Sequence, residues 1–440
     1  MDAKALIEEI RTEKSNAVAS GILREEKPLA VITDKEKPRE LPEGWQWCRL
    51  GDYAMKVTDY VASGSFASLK ENVLITDEEN YAVMVKTADF SNGFTKNLTY
   101  TDEHGYKFLE NSNLYGGELI LSNIGSIGKV FIVPDLHRPM TLASNTVMIR
   151  MTHNEYNKYM YYMFLSPFGQ KLLMSISSGT SMLKFNKTQL KSTVIPVAPL
   201  EQQFQICNIL ERVQRIISCR KAELKKLDDL IKARFVEMFG LPGTDIKGWG
   251  LRPLGSCCEL NPKKGADDRL VEGLEISFVP MPAVSENGAI DASEIKLYEE
   301  VKTGFTYFAE NDVLFAKITP CMENGKGAVA VGLYNGIGFG STEFHVLRPL
   351  AGMSNPFWIY SLTSFESFRK DAAANMTGSA GQRRVPASFL ERYKVTLPPL
   401  ELQKQFADFV QQVDKSKDAV QKALDEAQVL FDSLMQQYFG

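Results

Sequence analysis

The sequence predicts an α+β chain: two β-rich α+β domains separated by two long helices that pair as an antiparallel coiled coil, relating the halves by an approximate two-fold axis. Three observations predict this. A segment returns at a fixed spacing of 200 residues, two long apolar stripes carry helical periodicity, and two blocks of short strand candidates lie between them.

The repeat comes first. Pro199-Leu-Glu-Gln-Gln-Phe-Gln-Ile206 returns as Pro399-Leu-Glu-Leu-Gln-Lys-Gln-Phe406, and the spacing holds without a gap to Phe239-Gly240 and Phe439-Gly440. Val213, Leu224 and Leu230 recur as Val413, Leu424 and Leu430. A second marker opens each half: Gly44-Trp45 before Leu50-Gly51, and Gly248-Trp249 before Leu254-Gly255. Two marker sets in the same order read as a duplication. The domains expected are an arm over 1–40, a first block over 41–195, a central helix over 196–240, a second block over 241–395 and a last helix over 396–440.

In the arm, Leu6, Ile7, Ile10, Ala17 and Val18 form one helical face that ends near Ser20-Gly21, and Pro28, Pro38 and Pro42 make the connection extended. From Glu201 to Phe239 there is neither Pro nor Gly, and apolar residues recur at three and four with a stutter expected near Arg220. A helix of about 40 residues spans roughly 60 Å. The second copy carries its stripe from Leu402 through Phe406, Val410, Val413, Val420 and Leu424 to Val429, Leu430, Leu434 and Met435. Neither stripe can bury itself alone, so the copies pair.

Strand candidates in the first block are 81–85, 118–121, 130–133 and 146–149; in the second they are 276–279, 312–315, 328–331 and 344–347, separated by turns such as Asn92-Gly93 and Asn287-Gly288. Each block closes with a helical stretch, 157–173 and 356–374, followed by a polar loop, 175–184 and 375–384. These loops, and the mid-block loops 122–129 and 317–326, combine glycines, small hydroxyls and cations, which suit phosphates and base edges. The same composition suits a solvated connector.

The net charge of −4, from 50 Lys+Arg against 54 Asp+Glu, speaks against a surface that clamps nucleic acid all over, without excluding local basic loops. Cysteines 48, 207, 219, 257, 258 and 321 have no CxxC spacing and read as reduced, buried thiols; four scattered histidines make no metal centre. No apolar run approaches the ~18 residues of a membrane span, and the first ten residues carry acids where a leader would be apolar, so a soluble cytoplasmic chain is expected. Catalytic signals fail. Gly125-Ser-Ile-Gly128-Lys129 lacks the spacing of a phosphate loop, Gly336-x-Gly338-x-Gly340 opens no helix, and Asn261-Pro262 is followed by Lys263-Lys264. A self-contained nucleic-acid enzyme and a coiled-coil scaffold for other proteins stay open as alternatives to a non-catalytic reader.

Taken together, Leu41-Pro-Glu-Gly-Trp45 with Leu50-Gly51, its degenerate copy at 248–255, the two Pro-Leu-Glu-x-Gln openings with their long helices, and Thr319-Pro-Cys-Met-Glu-Asn-Gly325 resemble the DNA specificity subunit of type I restriction–modification systems (the HsdS family). The resemblance covers nearly the whole chain, and Ile7 to Lys14 of the arm resembles extensions in some members. Two departures are Phe204 where the second copy has Lys404, and the missing Pro-Glu before Gly248. The resemblance implies that each block is a target-recognition domain for one half of a bipartite, asymmetric target in double-stranded DNA. It implies that the helices set the gap and dock two methyltransferase subunits, which carry S-adenosylmethionine and methylate adenine N6, and that motor-nuclease subunits join for restriction. This chain would hold no cofactor or metal and catalyse nothing. The DNA-binding residues expected are Ser122, Asn123, Ser126, Lys129, Ser178, Thr180, Lys184 and Lys187 in the first block, and Lys317, Thr319, Asn324, Lys326, Ser341, Thr342, Arg383 and Arg384 in the second.

Overall fold

Among the described residues, ten short strands recur, in one order, in each half of the chain. The computed structural model describes every residue except Ala380 and the side chain of Ala266. The chain divides into two units, Met1–Ile217 with Asp425–Gly440, and Ser218–Leu424.

In the first unit the strands are β1 (Gln46–Arg49), β2 (Lys56–Asp59), β3 (Ala82–Val85), β4 (Tyr100–Thr101), β5 (Asn113–Leu114), β6 (Leu119–Ser122), β7 (Val130–Ile132), β8 (Met140–Leu142), β9 (Thr146–Arg150) and β10 (Val194–Val197). β1 pairs antiparallel with β10 and ties the two ends of the block together. One sheet runs β2-β9-β6-β7, the other β4-β3-β8-β5 with a parallel β3–β8 pair. β3 and β6 are buried along their whole length, which explains why they read as apolar runs rather than alternating strands.

The second unit repeats the scheme with β11 (Leu251–Pro253), β12 (Cys258–Leu260), β13 (Glu275–Val279), β14 (Ile295–Leu297), β15 (Thr306–Ala309), β16 (Val313–Ala316), β17 (Gly327–Val329), β18 (Ile337–Gly340), β19 (Phe344–Pro349) and β20 (Lys394–Thr396). Its sheets are β12-β19-β16-β17, β14-β13-β18-β15 with a parallel β13–β18 pair, and β11-β20. Even one ion pair recurs at matched positions: Arg150 with Glu118 in the first unit and Arg348 with Asp312 in the second, at 2.8 and 2.7 Å, each carboxylate 2% exposed.

All eight strand candidates are strands, with ends shifted by a residue or two. The glycine run enters a strand as well: after a 3-10 turn that ends at Gly336, residues 337–340 are β18, where a Cβ at Gly338 would meet the Phe308 ring and one at Gly340 the Val279 carbonyl. Each expected terminal helix is instead two. In the first unit, helices Asn154–Leu165 and Pro167–Ser175 break at Ser166, whose hydroxyl accepts from Gly169 N (3.1 Å) ahead of a proline at the first helical position. The counterparts Pro356–Ser364 and Glu366–Ala374 break at Phe365, which turns its ring onto Phe235 at 5.0 Å.

The arm helix Ala3–Ala19 is capped by Asp2 and buries Ala3, Leu6, Ile7, Ile10 and Ala17. It belongs to the core of the first unit, with the Lys14 ammonium on Gly51 O at 2.7 Å.

The two long helices run over Leu200–Phe239 and Leu400–Phe439. In the first unit Ile206, Cys207 and Leu210 share a core with Met435 and Phe439. In the second unit Phe406 meets Phe235 and Phe239 at 5.5 and 5.4 Å. In both, the start of one helix lies against the end of the other, so the pairing is antiparallel. The buried and half-buried positions of the first helix include an unbroken stripe at 203, 206, 210, 213, 217, 220, 224, 227 and 231, steps of three and four without a skip. The expected stutter at Arg220 is therefore absent; Arg220 stands half-buried in the stripe and pairs with Glu223 at 2.7 Å. Ile209, Ile216 and Leu230, apolar residues at helical spacing in the first helix, and Val429 and Leu430 of the expected second stripe, are exposed.

Cys48, Cys207, Cys257 and Cys258 are buried and Cys321 half-buried, but Cys219 is exposed, contrary to the expectation of uniformly buried thiols. Burial pushes the Cys48, Cys207 and Cys258 thiols up to about 12. Among the described residues no helix is long and apolar enough to cross a membrane, and no group of His, Cys, Asp and Glu could hold a metal ion.

Candidate nucleic-acid interface

In each domain three loops cross at the end of the antiparallel sheet. Strand register fixes which residues correspond. β6 pairs with β9 so that Ser122 faces Thr146, and β16 with β19 so that Ala316 faces Phe344. One residue further out, Asn123 N donates to Asn145 O (3.2 Å), and Lys317 N to Glu343 O (2.9 Å). The polar loop then comes across: Phe185 N donates to Asn123 O (3.1 Å) and Val385 N to Lys317 O (2.9 Å). Isolated bridges Ile124–Lys184 and Ser178–Lys184 have their match in Ile318–Arg384 and Thr377–Arg384. Asn123, Asn145 and Lys184 of the first domain thus occupy the places of Lys317, Glu343 and Arg384 in the second.

The backbone is shared, and the chemistry is not. In the second domain Arg384 grips Glu343 through two hydrogen bonds, Nε to Oε2 at 2.9 Å and Nη2 to Oε1 at 2.8 Å. That guanidinium holds the Glu343 carboxyl below the usual carboxylate range. Burial lowers the Lys317 pKa, with Arg384 adding to the effect and Glu343 opposing it. Arg383 lies 3.8 Å from Glu323, whose other oxygen, Oε2, is buried with no partner among the described residues. Thr319 donates to Glu323 Oε1 at 3.0 Å. Beneath them His345 donates from Nε2 to Val385 O (2.8 Å), and burial pushes its pKa below 6.5. The site therefore joins fixed cations to fixed acceptors, the donor and acceptor types that read guanine and cytosine edges or hold phosphate.

The first domain holds a notch of about 410 Å³ at the same crossing, lined by Tyr60, Phe66, Asn123, Asn145, Lys184 and Gln189 among others. Its functional groups are amides, hydroxyls, one ammonium and the Asp59 carboxylate, which Lys187 holds at 2.8 Å. Lys184 is exposed and has no ion pair among the described residues.

The structure gathers Asn123, Ser178 and Lys184 of the expected first-block residues, and Lys317, Thr319, Arg383 and Arg384 of the second. Some of these are engaged in holding the loops. Ser122 and Asn123 are 3% and 9% exposed, and the Asn123 amide donates to Phe185 O at 3.1 Å. Lys187 is held by Asp59 at 2.8 Å and Arg384 by Glu343. Lys326 donates to Met281 O (3.3 Å), and Ser341 Oγ accepts from Glu343 N (3.2 Å). Ser126, Lys129, Thr180, Asn324 and Thr342 are exposed on the flanking turns. Of the loop 375–384, Ala380 lies outside the described residues. Asn145, Phe66 and Gln189 were missed; the available signal was Asn145 directly before an apolar strand, where the structure holds it at φ +67°.

Known proteins match this architecture. The model of the type I restriction modification DNA specificity domain matches residues 42–228 and again 246–428. The specificity subunit of the type I restriction enzyme EcoAI of Escherichia coli is 39% identical over 235 residues, half of this chain and 38% of that protein. The EcoEI specificity subunit, also of Escherichia coli, is 41% identical over 183 residues, 41% of this chain and 30% of that protein. The chain thus spans well under half the length of these two curated relatives. A chain from a solved structure described as the basis of complex assembly and conformational transition of the type I R-M system shares the fold, with a TM-score of 0.50, 18% identity, and coverage of 91% of this chain and 99% of that one. Because the family model accounts for most of the residues, and does so twice, the chain belongs to the type I restriction modification DNA specificity domain family.

Proposed function

We propose that the chain is the non-catalytic specificity subunit of a type I restriction–modification complex, reading a bipartite, asymmetric sequence in double-stranded DNA in the cytoplasm. Residues 41–195 and 241–395 are its two target-recognition domains, and each reads one half-site. The helices over 196–240 and 396–440 act as the spacer that sets the gap and as the docking surface for two methyltransferase subunits, with the arm over 1–40 as an accessory to the first domain. The partners carry S-adenosylmethionine and methylate adenine N6, and motor-nuclease subunits join for restriction. The expected DNA-binding residues keep that role here, those tied to carboxylates or carbonyls as organisers of the loops that read.

One observation carries this reading: a single loop crossing, built twice on one backbone scheme, bears Asn123, Asn145 and Lys184 in one domain and Lys317, Glu343 and Arg384 in the other. Two frames with different side chains suit two different half-sites. Good bidentate base contacts contribute ~1–3 kcal/mol each, so a few per domain reach the ~4–10 kcal/mol of specific binders. A net charge of −4 is compatible with this if the partners supply most of the phosphate neutralisation.

The test is methylation of a plasmid library by the purified chain with and without its methyltransferase, mapped by methylation-aware sequencing. The expected result is one bipartite motif, methylated only when both are present. Methyl transfer or DNA cleavage by this chain alone would overturn the reading.

A further inference from the structure

Phe66 is out of place in a soluble domain. It opens the short helix Phe66–Asn72, capped by Ser65, whose hydroxyl accepts from Ser68 N at 3.3 Å. That helix buries Leu69, 2% exposed, yet leaves the Phe66 ring 76% exposed on the rim of the notch. Across the notch stands Asn145, held in the left-handed region at φ +67°, a conformation that asparagine tolerates better than most residues. Asn123 lines the floor, and its Oδ1 is buried with no partner among the described residues. Lys184 supplies one cation. The contrast with the second domain is what isolates these features: there Glu343 stands at the Asn145 position and its ion pair with Arg384 spans the crossing.

We propose that this notch reads one A·T base pair, Asn145 pairing with the adenine edge and Phe66 packing on the thymine methyl, while Lys184 takes a neighbouring phosphate. The proposal rests on the DNA-reading function above and assigns residues to it. An asparagine amide both accepts from adenine N6 and donates to N7, and an apolar ring finds its complement in the C5 methyl of the paired thymine; no other base pair offers both groups. The one carboxylate that lines the notch, Asp59, is held by Lys187 at 2.8 Å rather than free for cytosine, and the lining cation is a flexible lysine rather than the planar fork that best matches guanine.

The experiment uses the full chain with its methyltransferase. The probes are duplexes randomised across both half-sites, and duplexes in which each thymine in turn is replaced by uracil, which lacks the methyl. The wild-type complex should require A·T at one position of one half-site and methylate the uracil duplex more slowly there. Asn145→Asp, which keeps the shape and the acceptor but loses the donor, should relax that position by about tenfold or more. Phe66→Ala should equalise thymine and uracil. Neither change should alter the other half-site, and thermal melting checks that both variants fold. The proposal is overturned if folded Asn145→Asp retains the wild-type motif, if uracil is tolerated at every position, or if the half-sites contain no A·T pair that these variants affect. If the wild-type complex shows no sequence preference, the DNA-reading function itself falls, which the wild-type lane alone reveals.

Discussion

Gln203 and Gln403 show what a repeated residue is for. Both sit in the first turn of a long helix at 1% and 0% exposure. Gln203 donates to Ala198 O (2.8 Å) and accepts from the Tyr53 hydroxyl (3.0 Å); Gln403 donates to Pro398 O (2.8 Å) and accepts from Asn355 N (2.9 Å). Each amide therefore ties the first turn of its helix to the connection that precedes it and to one further segment of its block, the same role in both copies of the Pro-Leu-Glu-x-Gln opening. Gln403→Ala would leave a buried carbonyl and a buried N–H without partners, at an expected cost of about 1–3 kcal/mol. Urea melts of the variant and the parent check this. At this scale the sequence was legible where a residue repeats, and much less so elsewhere. Asn123 read as a base reader, and its amide nitrogen also braces the loop through Phe185 O, a contact that could not be foreseen because nothing in a loop's composition tells which polar groups face each other. Asn145 and Phe66 were missed because their partners in the notch come from distant segments.

The long helices were legible almost to the residue, since apolar steps of three and four sustained over ten turns match a helix and neither a strand nor a loop. The strands were harder. Those buried on both faces announced themselves as apolar runs, whereas β11, exposed at all three residues, and the two-residue β4 and β5 carry no pattern to find. What the stripe does not reveal is its polar interruption. Lys417 stands where the first helix has Ile217, and its ammonium lies 2.8 Å from Asp228 and 3.6 Å from Asp414 within the second unit. Burial raises the Asp414 pKa, and Lys417 opposes that rise. Lys417→Met should destabilise the protein by about 1–2 kcal/mol, because two partly buried carboxylates lose their counter-charge while the solvent still screens them. Replacing the three residues with those of the other copy, Asp228→Gln, Asp414→Gln and Lys417→Ile, should restore stability to within about 1 kcal/mol of the parent. Thermal melts of both variants decide; a single variant as stable as the parent would mean the cluster contributes nothing.

For the whole molecule, the duplication extends well beyond the recurring helix sequence. The blocks between the helices share little sequence, yet they share strand order, the parallel pair in one sheet, the buried arginine–carboxylate pair and the crossing of three loops. Sequence could mark the repeated openings but not equate the blocks, because burial asks only for apolar residues of suitable size and lets the identities drift. A modular fold makes a modular prediction: exchanging 41–195 for the block of another family member should change one half-site of the methylated motif and leave the other as it was. Methylation-aware sequencing reads the outcome, and a change in both halves would contradict one block for one half-site.

The composition of the first unit bears on synthesis. Its core is completed by Met435 and Phe439, the latter 5.4 Å from Tyr159 and wholly buried. The ribosome makes the socket long before it makes the plug. Until the late segment arrives, the apolar socket of the nascent first domain stays open to solvent, so this domain closes its core only when the last residues are made.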